Sequence, residues 1–128
     1  MVFVTRNALS GYPQNSLPPA NLVIWQGVSR NTYQMELHPI GTIFNDVPGI
    51  YVLCHEAGPG QWFAHYIGEA ENLNDRVGLS LVNHHKFRPA LKSGATHICA
   101  LIVRGGKTVR LSVETDLRHF YRPPLNDQ

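Results

Sequence analysis

Apolar and polar positions alternate through the first half of the chain and change to a helical rhythm just after residue 70. "NLVIWQGV" (21–28) and "TYQMELH" (32–38) are rich in β-branched and aromatic residues, and Gly27, Ser29, Arg30 and Asn31 between them predict a hairpin. "GIYVLC" (49–54) and "WFAHYIG" (62–68) flank "HEAGPGQ", whose Gly-Pro-Gly composition predicts a loop between antiparallel strands. Strict alternation would put Trp62, Ala64 and Tyr66 on one face of the second strand, with Phe63, His65 and Ile67 on the other. On that pattern Trp62 and Phe63 read as core and not as a base-stacking platform.

From residue 73 the period changes. Leu73, Val77 and Leu81 recur at i, i+4 and i+8, the buried stripe of a helix, after an Asn72–Asp75 pair that resembles a weakened capping box. Gly78 inside this stripe costs roughly 1 kcal/mol against alanine, which predicts close packing there. Arg76 lies beside the stripe and points outward. "ATHICALIV" (95–103), bounded by Gly94 and Gly105-Gly106, predicts a further strand. Val109, Val113, Leu117 and Phe120 form the stripe of a last helix that Pro123-Pro124 terminate, with Glu114 at the stripe's edge. The order predicts an α+β fold: a small central antiparallel or mixed sheet flanked by helices, with extra N-terminal strands. One domain over 1–128 is expected, in which 1–47 supply an irregular arm and the added strands and 48–126 the core.

Composition narrows the classes. Apolar residues make up 43% and charged residues 16% of the 128, ordinary for a globular chain and wrong for disorder. The patch Val2-Phe3-Val4 is too short for a secretory segment, and no apolar run approaches the ~20 residues of a membrane helix. Cys54 and Cys99 fall in apolar strand segments and read as reduced core residues of a cytoplasmic protein, since a disulfide would need their strands to be neighbours. His84, His85, His97 and His119 with Cys99 lack the spacing of a zinc site. Charge is strongly polarised. Residues 1–75 hold two basic and six acidic side chains, residues 76–122 nine basic and two acidic. A basic face for a polyanion follows, with DNA or another nucleic acid the expected partner.

Two tripeptides sharpen that expectation. Gly49-Ile50-Tyr51 and Tyr66-Ile67-Gly68 are followed in order by Arg76 in "ENLNDRV", Glu114 opening "ETDLRHFYRPPLN", and Asn126 beyond the prolines. In this order, over residues 48–126, the elements resemble the GIY-YIG nuclease family. The resemblance implies a divalent-metal-dependent endonuclease that hydrolyses DNA phosphodiesters. It implies a single Mg²⁺ or Mn²⁺ on Glu114, Arg76 on the scissile phosphate, and Tyr51 and Tyr66 positioning or deprotonating the attacking water. Gly68, Asn126 and the basic residues Lys86, Arg88 and Arg110 are the implied substrate contacts. Three departures stand out: 14 residues separate the tripeptides, Ser80 occupies a position often His or Tyr, and Glu69 one often Lys. His84 or His85, two turns beyond Arg76, would take the missing role.

Other readings of the same residues stay open. Tyr51 and Tyr66 suit half-buried strand positions, and Glu114 between Arg110 and Arg118 suits a surface ion-pair ladder. A catalytically weak or silent nucleic-acid-binding module, or a protein-interaction domain, would fit such a chain. A homodimer or a targeting partner is equally open, because no second DNA-binding domain accompanies the core.

Overall fold

The β-rich runs become five strands: β1 (Leu22–Gln26), β2 (Thr32–Pro39), β3 (Gly49–Gly58), β4 (Gln61–Ala70) and β5 (His97–Ile102). The computed structural model describes residues 21–78 and 81–126, so the expected arm before residue 21 and Ser80 lie outside the described residues. The strands form one α+β sheet in the order β1-β2-β5-β3-β4, with every neighbouring pair antiparallel. The N-terminal strands therefore extend the sheet beyond β5, and β4 closes its other edge.

Two details of the β3–β4 hairpin differ from the pattern-based expectation. The segment 55–61 is not a loop: both strands run on until Gly58 faces Gln61, and Glu56 accepts a hydrogen bond from the Gly60 N–H at 2.9 Å to close the turn. The residues between the tripeptides thus lengthen a hairpin. Alternation also breaks within β4. Leu53 faces Tyr66 while Cys54 faces Ala64, which leaves His65 as the extra residue of a β-bulge. Ala64 and Tyr66, expected on one face, consequently pack on opposite faces.

Both faces of the sheet are covered. On one, Tyr51, Leu53, Ile98 and Ala100 meet Leu73, Val77, Leu81 and Ala90. The expected stripe is buried, but a π turn (Asn74–Gly78) and a 3-10 turn (Leu81–Asn83) carry it in place of a regular α-helix. The wider turn lets buried Asn74 join the inward face, where its Oδ1 accepts from the Phe44 N–H at 3.2 Å and occupies the space a side chain at position 78 would need. A short helix α1 (Phe87–Lys92) follows; at six residues it is too short to show a period in the sequence.

On the other face, Trp25, Met35, Ile50, Val52, Ile67 and Cys99 pack against Leu117 of helix α2 (Lys107–Tyr121). Cys54 and Cys99 are free thiols on neighbouring strands, with sulfurs 4.0 Å apart. The stripe expected on α2 is displaced: Val109 and Phe120 are exposed, while Arg110 is buried beside Leu117. Polar anchors set this rotation. Tyr121 Oη accepts from the Gln26 N–H at 2.8 Å, Arg110 reaches Glu69, and Asp116 takes hydrogen bonds from the β1–β2 turn. Among the described residues no helix is long and apolar enough to cross a membrane.

Asp116 ties the added hairpin to the core. Its carboxylate accepts from the Ser29 N–H (2.8 Å), the Ser29 hydroxyl (2.6 Å) and the Tyr33 hydroxyl (2.7 Å), and its carbonyl accepts from the Val28 N–H (3.0 Å). Burial pushes this carboxyl up, but the hydrogen bonds from Ser29 and Tyr33 outweigh it and hold it below the ordinary aspartate range. A folded-state value below the unfolded one gives stability that is present above about pH 4 and lost as pH falls through the folded value. Asp116→Asn is expected to cost about 1 kcal/mol at pH 7, allowing for the solvent that reaches this carboxylate. In thermal melts the wild type and Asp116→Asn should converge as pH falls through the lowered folded-state value of Asp116.

Candidate functional site

Tyr51 and Tyr66 stand on neighbouring strands and the same sheet face, with ring centroids 6.1 Å apart. Gly68 lies directly opposite Tyr51, and a Cβ at that position would run into the Tyr51 ring. Its role is to leave room for the phenol. Gly68 is buried, and the role the structure gives it is packing under that ring.

Tyr51 itself is 0% exposed. Its oxygen lies 2.6 Å from His84 Nε2 and accepts from Arg76 Nε at 3.3 Å. The backbone N–H of Lys86 donates to His84 Nδ1 at 3.0 Å, so that nitrogen carries no proton. Burial, followed by the charges of Arg76, His85 and Lys86, pulls His84 down to about 4. The ring is neutral at pH 7 with its proton on Nε2, and donates it to Tyr51. Burial also pushes Tyr51 well above the ordinary tyrosine range. Tyr51 is thus a protonated, fully enclosed group whose oxygen fixes the Arg76 guanidinium.

Tyr66 is only half buried, and Arg76 interacts with it as well. Burial and the Glu114 charge raise its pKa, and Arg76 offsets part of the rise. Its ring sits edge-on to His84 (5.3 Å) and to His85 (6.0 Å). His85 is exposed and lies flat on His84, with centroids 5.1 Å apart and planes within 1°.

Glu114 comes from α2 beside β4, near the Glu69 backbone. Arg118 Nη1 donates to it at 3.2 Å. Burial raises the Glu114 pKa, against a lowering by Arg118 and a slight one by the Glu69 backbone. The expected ladder is half formed, because Arg110 turns to Glu69 Oε1 at 2.9 Å instead. At 7% exposure Arg110 is ion-paired with Glu69 and anchors it. Asn126 braces the edge strand. It is buried, its Oδ1 accepts from the Ile67 N–H (2.9 Å), and its Nδ2 donates to the Ile67 carbonyl (2.8 Å). Arg88 is exposed on α1, and Lys86 is half buried beside His84.

An open cleft of about 580 Å³ adjoins Arg76, lined by residues 69–72, Asp75 and Arg76. Its acidic residues Glu71 and Asp75 make that side repel a polyanion, which leaves the His85–Lys86 side for one. Among the described residues no three His, Cys, Asp or Glu side chains gather as a metal site. Glu114 alone, partly accessible beside Tyr66, fits a hard divalent ion that keeps most of its waters; it does not fit zinc.

The chain matches no protein-family model, no curated protein and no solved structure.

Asn126→Ala would orphan both polar groups of Ile67 and is expected to cost about 2–3 kcal/mol, read from denaturant melts. By NMR of the imidazole C–H signals, His84 should titrate near pH 4 and show the Nε2–H tautomer. Because its folded value lies below the ordinary histidine value near 6.5, stability should fall as pH drops from about 6.5 to about 4.

Proposed function

We propose that this chain is a GIY-YIG-type endonuclease that hydrolyses DNA phosphodiester bonds with a single divalent metal ion. The observation that carries the reading is the convergence of Tyr66, Arg76 and Glu114 at the rim of one sheet edge, backed by the enclosed Tyr51–His84 pair. The spacing of the two tripeptides, the arginine, the glutamate and the asparagine supports the same assignment.

In this reading Arg76 grips the scissile phosphate. Tyr51 and His84 do not touch substrate; they hold the guanidinium in one orientation, so that little is reorganised when charge develops on the phosphorane. Tyr66 faces the water. Its phenol holds its proton in the resting protein, because burial and Glu114 both favour the neutral form. Glu114 is the residue that would hold Mg²⁺ or Mn²⁺, and the bound ion supplies Lewis-acid charge neutralisation on the phosphate. Occupying Glu114 with a cation removes the negative field that keeps the Tyr66 proton in place. Lys86 and Arg88 are the backbone contacts that remain for the rest of the strand, so binding should weaken as salt rises.

A binding module without strong catalysis is the second reading. Arg118 on Glu114 favours it, since that guanidinium competes with a metal for the carboxylate.

Nicking of supercoiled plasmid in Mg²⁺ or Mn²⁺, abolished by chelator, is the expected result. Glu114→Ala and Arg76→Ala should each lower the rate by about 10²-fold or more, the scale of losing one transition-state contact. A wild type that retards DNA at low salt and never nicks it would leave the binding module.

A further inference from the structure

The face that carries Tyr51 and Tyr66 continues beyond the two phenols. Leu53 and His55 follow Tyr51 at every second position of β3 and share its face, and Phe63 lies opposite His55. The bulge residue His65 leans in between them. The rings are contiguous: His55 to His65 4.9 Å, Phe63 to His65 4.9 Å, and His55 to Phe63 5.6 Å. On the far side of Tyr66, the exposed His85 ring lies flat on His84. Two groups of rings therefore share this face, His84, His85, Tyr51 and Tyr66 in one and His55, Phe63 and His65 in the other, with Leu53 between them on β3.

Two features of the second group have no use in folding. Phe63 is 42% exposed on an edge strand, where charged residues are the usual protection against aberrant pairing. His65 is 2% exposed, yet its Nδ1 has no hydrogen-bond partner among the described residues, while its Nε2 is 2.7 Å from His55 Nδ1. A buried polar atom without a partner calls for an explanation. The bulge holds the imidazole against Phe63 and His55 at that cost.

We infer that Phe63, backed by half-buried His55 and buried His65, is a stacking platform for unpaired bases of the DNA strand whose phosphate meets Arg76. The inference rests on the nuclease reading and names its substrate class: single-stranded DNA, or DNA with unpaired bases beside the cut. From Tyr51 to His55 is roughly 13 Å along β3, the length of three or four nucleotides stacked at ~3.4 Å. Bases in an intact duplex already stack on one another, whereas splayed bases present free faces to aromatic rings. Cations Arg76 and Lys86 stand at the phosphate end of this face. Acidic Glu71 and Asp75 on the opposite side turn the backbone toward the rings.

The test is fluorescence anisotropy in chelator, where nothing is cut, with three probes. These are a short single-stranded oligonucleotide, the same strand carrying abasic positions, and the matching duplex. Wild type should favour the intact single strand and lose about tenfold on the abasic one. Phe63→Ala should lose the same factor on the intact strand and nothing further on the abasic strand, with Phe63→Trp restoring affinity. Equal wild-type affinity for intact and abasic strands would overturn the inference, and this comparison needs no variant to fold. A folded Phe63→Ala that binds like wild type would also overturn it. Base-dependent binding without any nicking would remove the nuclease and keep the platform; nicking without base dependence would do the reverse.

Discussion

The outward edge of β4 is the constraint on which the site depends. Where another segment of the chain covers a sheet edge, its N–H and C=O groups lose water and must find partners. Here the partners come from the end of the chain. Asn126 takes both polar groups of Ile67, and the Leu125 N–H donates to the His65 carbonyl at 3.1 Å. Residues 125 and 126 thus behave as a fragment of a sixth strand. The tie of Arg110 to Glu69 on the same strand holds α2, and with it Glu114, beside Tyr66. Fold and site share this strand, so damage to the edge disturbs both.

Behind that edge the two tyrosines divide between them tasks that their sequence context makes look alike. Tyr51 sits on a central strand, roofed by the π and 3-10 turns and floored by Gly68, and reaches no solvent. Tyr66 sits on the edge strand, where the bulge at His65 turns it to the same face but leaves it half open. An enclosed phenol with two donors on its oxygen is a rigid hydrogen-bond acceptor for Arg76. An open one can meet a ligand.

Much of the fold was legible because its signals are local. All five strands, the last helix and the burial of Leu73, Val77 and Leu81 follow from period and punctuation. What period could not reveal is where a polar contact overrides it. The α2 stripe is shifted because Arg110, Asp116 and Tyr121 each have a long-range partner, and a helical wheel contains none of those partners. The bulge was invisible because one extra residue between two alternating runs leaves the composition unchanged. In the candidate site the motif residues Tyr51, Tyr66, Arg76 and Glu114 lie near one another, and His84, one of two histidines the sequence offered, joins them. Gly68, Arg110 and Asn126 have partners in distant parts of the chain that the motif order does not reveal. Short spacings announced local contacts that formed, Asp75 N–H to Asn72 Oδ1 and Arg118 to Glu114. Phe63 read as core because alternation carries no information about which strand lies at an edge.

The resting electrostatics of the site follow from the same burial. Tyr51, Tyr66 and Glu114 are all shifted toward their neutral forms, and His84 is held neutral from the other direction. Arg76 is left as the firm charge at the centre, with Arg118 balancing Glu114 at the margin. Enclosing several ionised groups without partners would cost far more than folding can supply, so a site assembled before its ligands arrive must be nearly uncharged. If the proposed function holds, an arriving phosphate would meet one oriented cation, and a divalent ion one carboxylate that Arg118 now occupies. Each ligand would bring the charge that makes the site favourable for the other. On the proposed reading, DNA and metal should therefore bind more strongly together than either does alone, with the coupling carried by Arg118 and Glu114.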